Sequence, residues 1–296
     1  MIKVTMLGTS GSTPTKDRSL PGVLLAYDGN SYLFDCGEGT QMQMMKFGAN
    51  ISRIRCIFLT HLHGDHVIGI AGLLRTLALN NREEELTIFI PRGYESRLKS
   101  LIVFDKAMIK YKITIKGVRS GEIYKGKNFS VSAFKLDHTV ATFGYVFKEG
   151  DRFKFLVDKC KALGIKDQMF TDITRNGKTT VNGKLVRLKQ VTVAVKGKKI
   201  VYASDTRPCA ATVVAAKDCD LLIHEANYAK EQEPLAKDRK HSTAQEAAKI
   251  AKKARAKKLV LTHISARYRD TSQLLKEARG EFKNSFVAFD GYAIDI

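Results

Sequence analysis

Three histidines and an aspartate fall within six residues, in the segment HLHGDH at 61–66. The segment follows the apolar, β-prone run Cys56–Leu59, so it lies at the end of a predicted strand. Alternation along a strand places the first two histidines on one side, and Gly64 lets the backbone turn so that the aspartate and the last histidine point into the same space. Imidazole and carboxylate are the ligands that zinc prefers in catalytic sites, so the segment predicts a metal site.

Three further candidate ligands stand at the ends of other predicted strands. His138, Asp205 and His263 each follow a short apolar run of sequence. A histidine or aspartate after a strand is common, so none of the three is informative alone. A sheet that gathers its strand ends along one edge would bring them together, and we expect them to complete a site that six residues cannot close.

Strands and helices are mixed in both halves of the chain, which is typical of a layered α/β architecture. The predicted strands are Ile2–Leu7, Val23–Tyr27, Ser31–Phe34, Cys56–Leu59, Leu86–Ile90, Val191–Val195, Ile200–Ala203, Leu221–Ile223, Leu259–Leu261 and Phe286–Phe289. The predicted helices are Val67–Leu79, Ser242–Arg255 and Thr271–Arg279. The second helix has two candidate capping boxes, either Ser242 with Gln245 or Thr243 with Glu246.

The chain is strongly basic, with 50 Lys and Arg against 30 Asp and Glu and a net charge of +20. This excess favours a polyanionic partner such as nucleic acid, and a solvated basic surface is the alternative. The segment Asp151–Gln190 has ten Lys or Arg against four Asp, two Asn-Gly turn signals and weak periodicity. We interpret it either as an inserted basic arm or as a charged surface hairpin with a short helix, Asp158–Leu163.

Composition argues against several other classes of protein. No apolar run approaches the roughly 20 residues that a membrane span needs, and the first residues lack the apolar stretch of a secretory signal. The five cysteines are scattered, odd in number and without a CxxC pair, which disfavours a disulfide scaffold or a cysteine-rich zinc module. We therefore expect no membrane association and a reducing, cytoplasmic location.

The HLHGDH segment fits the HxHxDH signature of the metallo-β-lactamase superfamily. From residue 2 to about residue 270 the chain resembles one family within it, ribonuclease Z, the tRNA 3′-processing endoribonuclease. The motifs that match, in order, are LGTSGSTPTKDR at 7–18, LFDCGEGTQMQM at 33–44, THLHGDHVIGIAGLLRT at 60–76, DHTVATFGY at 137–145, ASDTRP at 203–208, LLIHEAN at 221–227, HSTA at 241–244 and THISARY at 262–268. The hexapeptide alone specifies only the superfamily, whereas the glycine-rich, HST and THISARY motifs together specify the family.

The resemblance implies a four-layer αβ/βα sandwich over residues 1–296, with an inserted basic exosite arm at 151–190. It also implies two zinc ions per subunit at one edge of the sheets, and manganese or iron would suit the same ligands. Two sets of three ligands and one bridging residue are implied: His61, His63 and His138 for one ion, Asp65, His66 and His263 for the other, and Asp205 between them.

The resemblance also assigns catalytic roles. Asp65 could orient or deprotonate the attacking water, and His241, held by Glu225, is the expected proton donor to the leaving group. We expect His224 to be structural, as a buried histidine bonded to the backbone. The products would be a tRNA with a 3′-hydroxyl and a trailer with a 5′-phosphate.

Substrate contacts follow from the same resemblance. Arg267 is expected to bind phosphate, and Lys16 and Arg18 match a loop that lies near the 3′ end of the RNA, with an exposed loop charge as the alternative for both. The arm is expected to bind the elbow of precursor tRNA, and the family is usually homodimeric. The sequence departs from the family pattern at two places. The segment LGIKDQMF at 163–170 lacks the prolines usual in family arms, and Asn227 replaces a threonine.

Two other functions remain open on the sequence alone. A related enzyme with the same metals, such as a phosphodiesterase or arylsulfatase that acts on small esters, would not require the basic arm. A non-catalytic RNA-binding protein on this fold would be expected to lack metal ligands, all of which this chain retains.

Overall fold

Two seven-stranded β-sheets form the centre of the protein. The structure is a computed structural model that describes residues 1–102 and 109–296. In chain order the strands are β1 (Ile2–Gly8), β2 (Ser10–Gly11), β3 (Gly22–Tyr27), β4 (Asn30–Phe34), β5 (Ile54–Phe58), β6 (Leu86–Pro91), β7 (Ile113–Val118), β8 (Gly121–Lys125), β9 (Phe129–Lys135), β10 (Phe143–Glu149), β11 (Arg152–Phe155), β12 (Lys178–Val181), β13 (Lys184–Arg187), β14 (Thr192–Val195), β15 (Lys199–Ala203), β16 (Leu221–Glu225), β17 (Leu259–Thr262), β18 (Ile264–Ser265), β19 (Ser285–Val287) and β20 (Ala293–Asp295).

Helices connect most of these strands. They are α1 (Thr40–Lys46), α2 (Gly64–Val67), α3 (Gly69–Leu79), α4 (Glu95–Ile102), α5 (Val157–Ala162), α6 (Gln168–Asn176), α7 (Leu188–Val191), α8 (Ala210–Ala215), α9 (Glu233–Asp238), α10 (Ala244–Ala254) and α11 (Ser272–Glu281). Short 3-10 helices occupy Ile51–Arg53 and Lys230–Gln232. Within the described ranges, no helix combines the length and the apolar character that crossing a membrane requires.

The sheets are ordered β20-β1-β3-β4-β5-β6-β7 and β19-β17-β16-β15-β10-β9-β8. Apolar side chains from the facing sides of both sheets form one core between them. Helices α1, α3 and α4 cover the outer face of the first sheet, and α8, α10 and α11 cover the outer face of the second. This arrangement confirms the predicted four-layer αβ/βα sandwich.

Local sequence explains why the covering helices form and dock. The buried residues of α3 lie at i, i+3, i+4 and i+7, which gives one apolar face toward the first sheet: Ile70, Leu73, Leu74 and Leu77. Helix α10 begins with the capping box of Thr243 and Glu246 and covers the second sheet with small alanines. The alternative box with Ser242 is wrong, because the Ser242 hydroxyl donates to the carbonyl of Thr206.

The second sheet is parallel from β15 through β16 and β17 to β19. Because these strands run in the same direction and pair along their length, their carboxyl ends reach the same edge of the sheet. Asp205, Glu225 and His263 therefore occupy one edge of this sheet, because each stands at or just after the end of its strand.

The predicted last strand, Phe286–Phe289, is wrong at its end. Strand β19 stops at Val287, and the chain then turns at Gly291, whose φ is 86°, into β20. The side chain of Asp290 accepts hydrogen bonds from Thr9 and from the backbone of Ser19, which holds this turn away from the sheet ladder. Strand β20 then adds to the edge of the first sheet beside β1, a position that no local pattern predicts.

Residues 148–198 form a separate compact unit. Strands β11 and β14 pair, β12 and β13 form a hairpin, and α5, α6 and α7 lie around a small apolar core of their own. Helix α5 corresponds to the predicted short helix Asp158–Leu163, shifted by one residue at each end. The buried residues of the small core are Cys160, Ile165, Ile173, Val181, Val186 and Val191.

Candidate metal centre

The HLHGDH segment leaves β5 and enters the short helix α2, which bends it back toward the sheet edge. The first two histidines lie in the extended part, and Asp65 and His66 lie on the helix. Asp205 and His263 both have left-handed backbone, with φ of 60° and 57°. L-residues adopt that region at an energetic cost, which persists where the surrounding structure holds the residue in place and is common at functional sites.

One group of donor atoms consists of His61, His63, His138 and one oxygen of Asp205. His63 Nδ1 lies 2.9 Å from His61 Nε2 and 3.4 Å from His138 Nε2. Asp205 Oδ2 lies 3.7 Å from the Nε2 atoms of His61 and His138. Four donor atoms from three separate parts of the chain thus surround one point.

A second group consists of Asp65, His66, His263 and the other oxygen of Asp205. The Nε2 atoms of His66 and His263 lie 3.3 Å apart. Asp65 Oδ2 is 3.5 Å from each of them, and Asp205 Oδ1 is 3.2 Å from each. Asp205 therefore directs one carboxylate oxygen toward each group.

These spacings fit metal ions. Zinc binds imidazole nitrogen at about 2.0–2.1 Å with tetrahedral geometry, which separates two ligand nitrogens by about 3.4 Å. The facing nitrogens of His66 and His263 match that separation. The donor set, imidazole and carboxylate only, is also of the kind that zinc, manganese and iron accept. All seven residues predicted as metal ligands are brought together.

A buried carboxylate that the sequence analysis did not single out orients the second group. Asp35, fully buried, lies 2.8 Å from His66 Nδ1 through Oδ2. The same carboxylate accepts from the backbone N–H of Thr60 at 2.8 Å and from the Tyr202 hydroxyl at 2.8 Å. A ligand histidine that donates its other N–H to a carboxylate has its ring orientation and tautomer fixed. In the sequence, Asp35 is marked by its place as the first residue of the DCGEGTQ motif.

Other partners hold the remaining rings. His138 Nδ1 lies 3.0 Å from the carbonyl oxygen of Lys240, an acceptor that fixes the proton on Nδ1 and leaves Nε2 for a metal. Asn227 places its amide 2.9 Å from His263 Nδ1. When Nε2 of His263 binds metal, Nδ1 carries the proton and donates it to the amide oxygen of Asn227, which a rotation of the amide group turns toward the ring.

The carboxylates of the two groups are ionised. Burial opposes the charge of Asp205, but the surrounding imidazoles, that of His263 first, hold the pKa of its carboxyl well below the ordinary value. Burial likewise opposes the charge of Asp65, and His66 and His263 lower its pKa. Metal binding requires ionised carboxylates, and both groups supply them.

His241 stands beside both groups, and Glu225 holds it there. Its Nδ1 lies 2.9 Å from Glu225 Oε1, and the backbone N–H of Ser242 donates to Glu225 Oε2 at 3.0 Å. Burial alone lowers the pKa of His241, but the Glu225 carboxylate outweighs burial and raises the pKa to about 9. His241 is therefore a cationic acid at neutral pH.

The centre opens into a cleft of about 530 Å³ that His63, Asp65, His241 and Arg267 help to line. The guanidinium of Arg267 lies 5.0 Å from the ring centroid of Tyr228, which also lines the cleft. The structure thus brings Arg267 to the metal centre, as expected of a phosphate contact.

The other two basic residues predicted to contact substrate lie outside that cleft. Lys16 is exposed on the loop after β2. Arg18 is half-buried, and its Nη1 donates to Thr9 Oγ1 at 2.7 Å and to the Ala288 carbonyl at 2.6 Å. Its guanidinium therefore stabilises the loop after β2. His224 is buried, with Nδ1 2.7 Å from the Glu225 carbonyl, the backbone contact expected of a structural histidine.

A four-layer αβ/βα sandwich with two histidine and aspartate groups at one sheet edge defines the metallo-β-lactamase superfamily. Residues 172–264 match the family model described as a beta-lactamase superfamily domain, and residues 2–181 match that described as Anti-Pycsar protein Apyc1.

Three similar proteins align with nearly the whole chain. Ribonuclease Z of Methanosarcina mazei is 38% identical over 100% of this chain and 98% of its own, and that of Archaeoglobus fulgidus is 39% identical with the same coverage. The crystal structure of human tRNase Z, short form, has a TM-score of 0.71 at 28% identity and covers 99% of both chains. The chain belongs to the ribonuclease Z family and is an endoribonuclease.

Replacing Asp35 by asparagine tests the orientation of His66. We expect the affinity for metal to fall by roughly 10- to 100-fold, because an amide orients the ring and raises ligand basicity less than a carboxylate does. Competition with a chromogenic chelator measures the affinity for added zinc. Asp28→Asn, in an exposed turn, is the matched control. Equal zinc affinity in both variants would show that Asp35 does not act on the metal site.

Proposed function

We propose that this endoribonuclease removes the 3′ trailer of tRNA precursors and leaves a 3′-hydroxyl on the tRNA and a 5′-phosphate on the trailer. The observation that supports this most strongly is the pair of donor groups sharing Asp205, in a chain similar over its full length to proteins named ribonuclease Z. A net charge of +20 suits an RNA substrate.

Two zinc ions are proposed, one in each donor group, with manganese or iron as alternatives that the same ligands accept. When bound, such ions supply Lewis acidity, which lowers the pKa of water and offsets negative charge on phosphate oxygens. The ligands proposed for them are His61, His63 and His138, then Asp65, His66 and His263, with Asp205 between.

Asp65 is proposed to position the attacking water as well as to bind metal. Its Oδ2 accepts the backbone N–H of Ser12 at 2.9 Å, which fixes the carboxylate at the floor of the cleft. An ionised carboxylate so fixed can accept a proton from water on the side of phosphorus opposite the leaving group.

His241 is proposed to protonate the leaving group. The bond between phosphorus and the 3′-oxygen of the upstream nucleotide breaks, the water oxygen joins phosphorus, and the proton of His241 passes to the 3′-oxygen. Glu225 keeps His241 charged and oriented through the 2.9 Å contact to Nδ1, so Nε2 is the nitrogen that donates. This assigns the 3′-hydroxyl to the tRNA and the 5′-phosphate to the trailer.

Basic residues around the cleft are proposed to hold the RNA backbone. Arg267 lies in the cleft, with its plane supported by Tyr228, and can bind one phosphate through two parallel hydrogen bonds. Lys16 and Arg18 belong to the loop that also supplies Ser12, and we propose that they contact phosphates near the 3′ end.

The unit at 148–198 is proposed to be the tRNA-binding exosite arm. All ten Lys and Arg side chains of residues 151–190 are exposed, and a core of its own lets the unit present them on a folded surface. Exposed cations on a rigid surface bind folded RNA through its phosphates and shape.

A homodimer and a cytoplasmic location complete the proposal. Met42 and Met45 on α1 and Ile68 beside α3 are more than half exposed on helices that pack together, an apolar surface that suits a second copy of the chain. Sedimentation velocity of the wild-type chain tests whether it is a dimer.

The five cysteines, all among the described residues, are free thiols, which suits a reducing compartment.

Incubation with a tRNA precursor bearing a 3′ trailer tests the activity. We expect one cut after the discriminator base, abolished by chelator and by His63→Ala, because that residue belongs to the first donor group. End-labelled RNA on a sequencing gel gives the position and the end groups. A metal-loaded protein that leaves the RNA intact yet hydrolyses small phosphodiesters or sulfate esters would overturn the proposal.

Replacing His241 by alanine should lower kcat by about 10²- to 10⁴-fold and change KM little, because the proton donor acts in the transition state. A substrate with sulfur in place of the bridging 3′-oxygen should restore most of the rate, since a thiolate leaves without protonation. His63→Ala should gain nothing from the sulfur substrate. Equal defects of His241→Ala on both substrates would exclude the acid role.

Charge removal in the unit tests the exosite. The variant with Arg152, Lys154, Lys178 and Lys184 changed to glutamine should raise KM for precursor tRNA roughly tenfold or more, with kcat unchanged and a shallower salt dependence. The control removes four charges outside the unit, at Lys252, Lys253, Lys276 and Lys283, all exposed. If both sets raise KM equally, binding depends on net charge rather than on the unit.

A further inference from the structure

Phe289 lies at the same sheet edge as the metal centre. Strands β17 and β19 are parallel neighbours that pair Leu261 with Val287, and the Ala288 N–H donates to the Leu261 carbonyl at 2.9 Å. Both strands end soon after that pair, and Thr9 then contacts both chain segments: the Ile264 N–H donates to the Thr9 carbonyl at 2.9 Å, and Thr9 Oγ1 donates to Asp290 Oδ1 at 2.7 Å. Thr9 therefore links the residue after His263, a predicted metal ligand, to the residue after Phe289.

The side chain of Phe289 is 58% exposed, whereas the strand-end residues Asp205, Glu225 and His263 are buried. A large apolar ring exposed beside the candidate metal centre is accessible to a substrate. On one side it contacts Tyr292, with ring centroids 5.3 Å apart and planes tilted by 52°.

The backbone on both sides of Phe289 is held firmly. The Asp290 carboxylate accepts from Thr9 Oγ1 at 2.7 Å and from Gln43 Nε2 at 2.9 Å. The N–H of Gly291 donates to the Met6 carbonyl at 2.7 Å. The ring is therefore presented by a fixed turn, so a partner that meets it does not have to order the loop.

Cationic side chains accompany the ring. Arg18 donates from Nη1 to the carbonyl of Ala288, the residue before Phe289. The same loop exposes Lys16, and it reaches the metal centre where Ser12 donates to Asp65. One short loop thus connects the exposed ring, two cations and the candidate metal ligands.

We propose that Phe289 is a stacking site for a nucleobase of the single-stranded RNA next to the scissile phosphate, with Lys16 and Arg18 near the adjoining phosphates. An aromatic ring with neighbouring cations matches the chemistry of unpaired RNA, whose bases stack on aromatic side chains while phosphates bind Lys and Arg. The proposal rests on the proposed RNA-cleaving function, because it assigns the ring a place on the same substrate.

The chain has no tryptophan, so Phe289→Trp introduces a single fluorophore at the site. The metal-loaded variant is titrated with a single-stranded RNA that spans the cleavage site and has a non-cleavable methylene in place of the bridging 3′-oxygen. We expect saturable quenching of tryptophan fluorescence. Quenching should be lost when one nucleotide near the cleavage site is abasic, and the position of that nucleotide identifies the stacked base.

Leu79→Trp is the matched control, since Leu79 is also 58% exposed but lies at the far end of α3. In that variant quenching should be absent or independent of the abasic position. Equal quenching in both variants, or quenching of Phe289→Trp that no abasic position removes, would overturn the stacking proposal.

Kinetics give an independent readout. Phe289→Ala should raise KM for precursor tRNA by about 5- to 100-fold, the range for one stacked base, with kcat within twofold. Phe289→Tyr should restore KM because it keeps the ring. Wild-type cleavage with KM unchanged in Phe289→Ala would refute stacking and leave the proposed function intact, whereas a wild-type protein that does not cleave precursor tRNA would refute the proposed function itself.

Discussion

The carboxylate of Asp205 is the contact on which the rest of the site depends. It is buried, and it directs one oxygen toward His61 and His138 and the other toward His66 and His263. A buried charge is stable only when neighbouring groups compensate it, and here imidazoles on both sides do so. Because the carboxylate serves both groups, the two halves of the fold must bring their strand ends to one place within about 0.5 Å.

Two other buried carboxylates also hold histidines of the site in place. Asp35 comes from the first sheet and fixes His66, and Glu225 comes from the second sheet and fixes His241. Each also accepts backbone N–H groups, from Thr60 and Ser242 respectively, so its own position is held by the main chain. Each carboxylate thus orients a histidine of the site, and backbone N–H groups in turn hold the carboxylate. This arrangement limits the motion of the histidines.

Recognition and chemistry are assigned to different parts of the chain. The proposed catalytic residues lie beside the strand ends of the sandwich: Glu225 ends β16, Asp65 is on α2, and His241 precedes α10. Apart from Arg267 in the cleft, the proposed RNA contacts lie on an exposed basic unit at 148–198, on the loop with Lys16, and on the turn with Phe289. Surface segments of this kind can meet a large and charged substrate while the core of the sandwich stays buried.

The sequence alone predicted the candidate metal ligands and a layered α/β fold, because ligand chemistry and strand patterning are local properties of neighbouring residues. The division of the ligands into two groups and the four-layer arrangement were implied by the family resemblance. The HLHGDH segment and the residues that follow strands showed the donor types, and the charge of residues 151–190 marked a segment suited to RNA. The tertiary structure decided what depends on distant parts of the chain. Asp35 meets His66 across 31 positions, Asn227 meets His263 across 36, and Arg18 meets the Ala288 carbonyl across 270. No periodicity predicts such pairs, since they arise from the order in which strands join a sheet, and the exposure of Phe289 follows from the same long-range pairing.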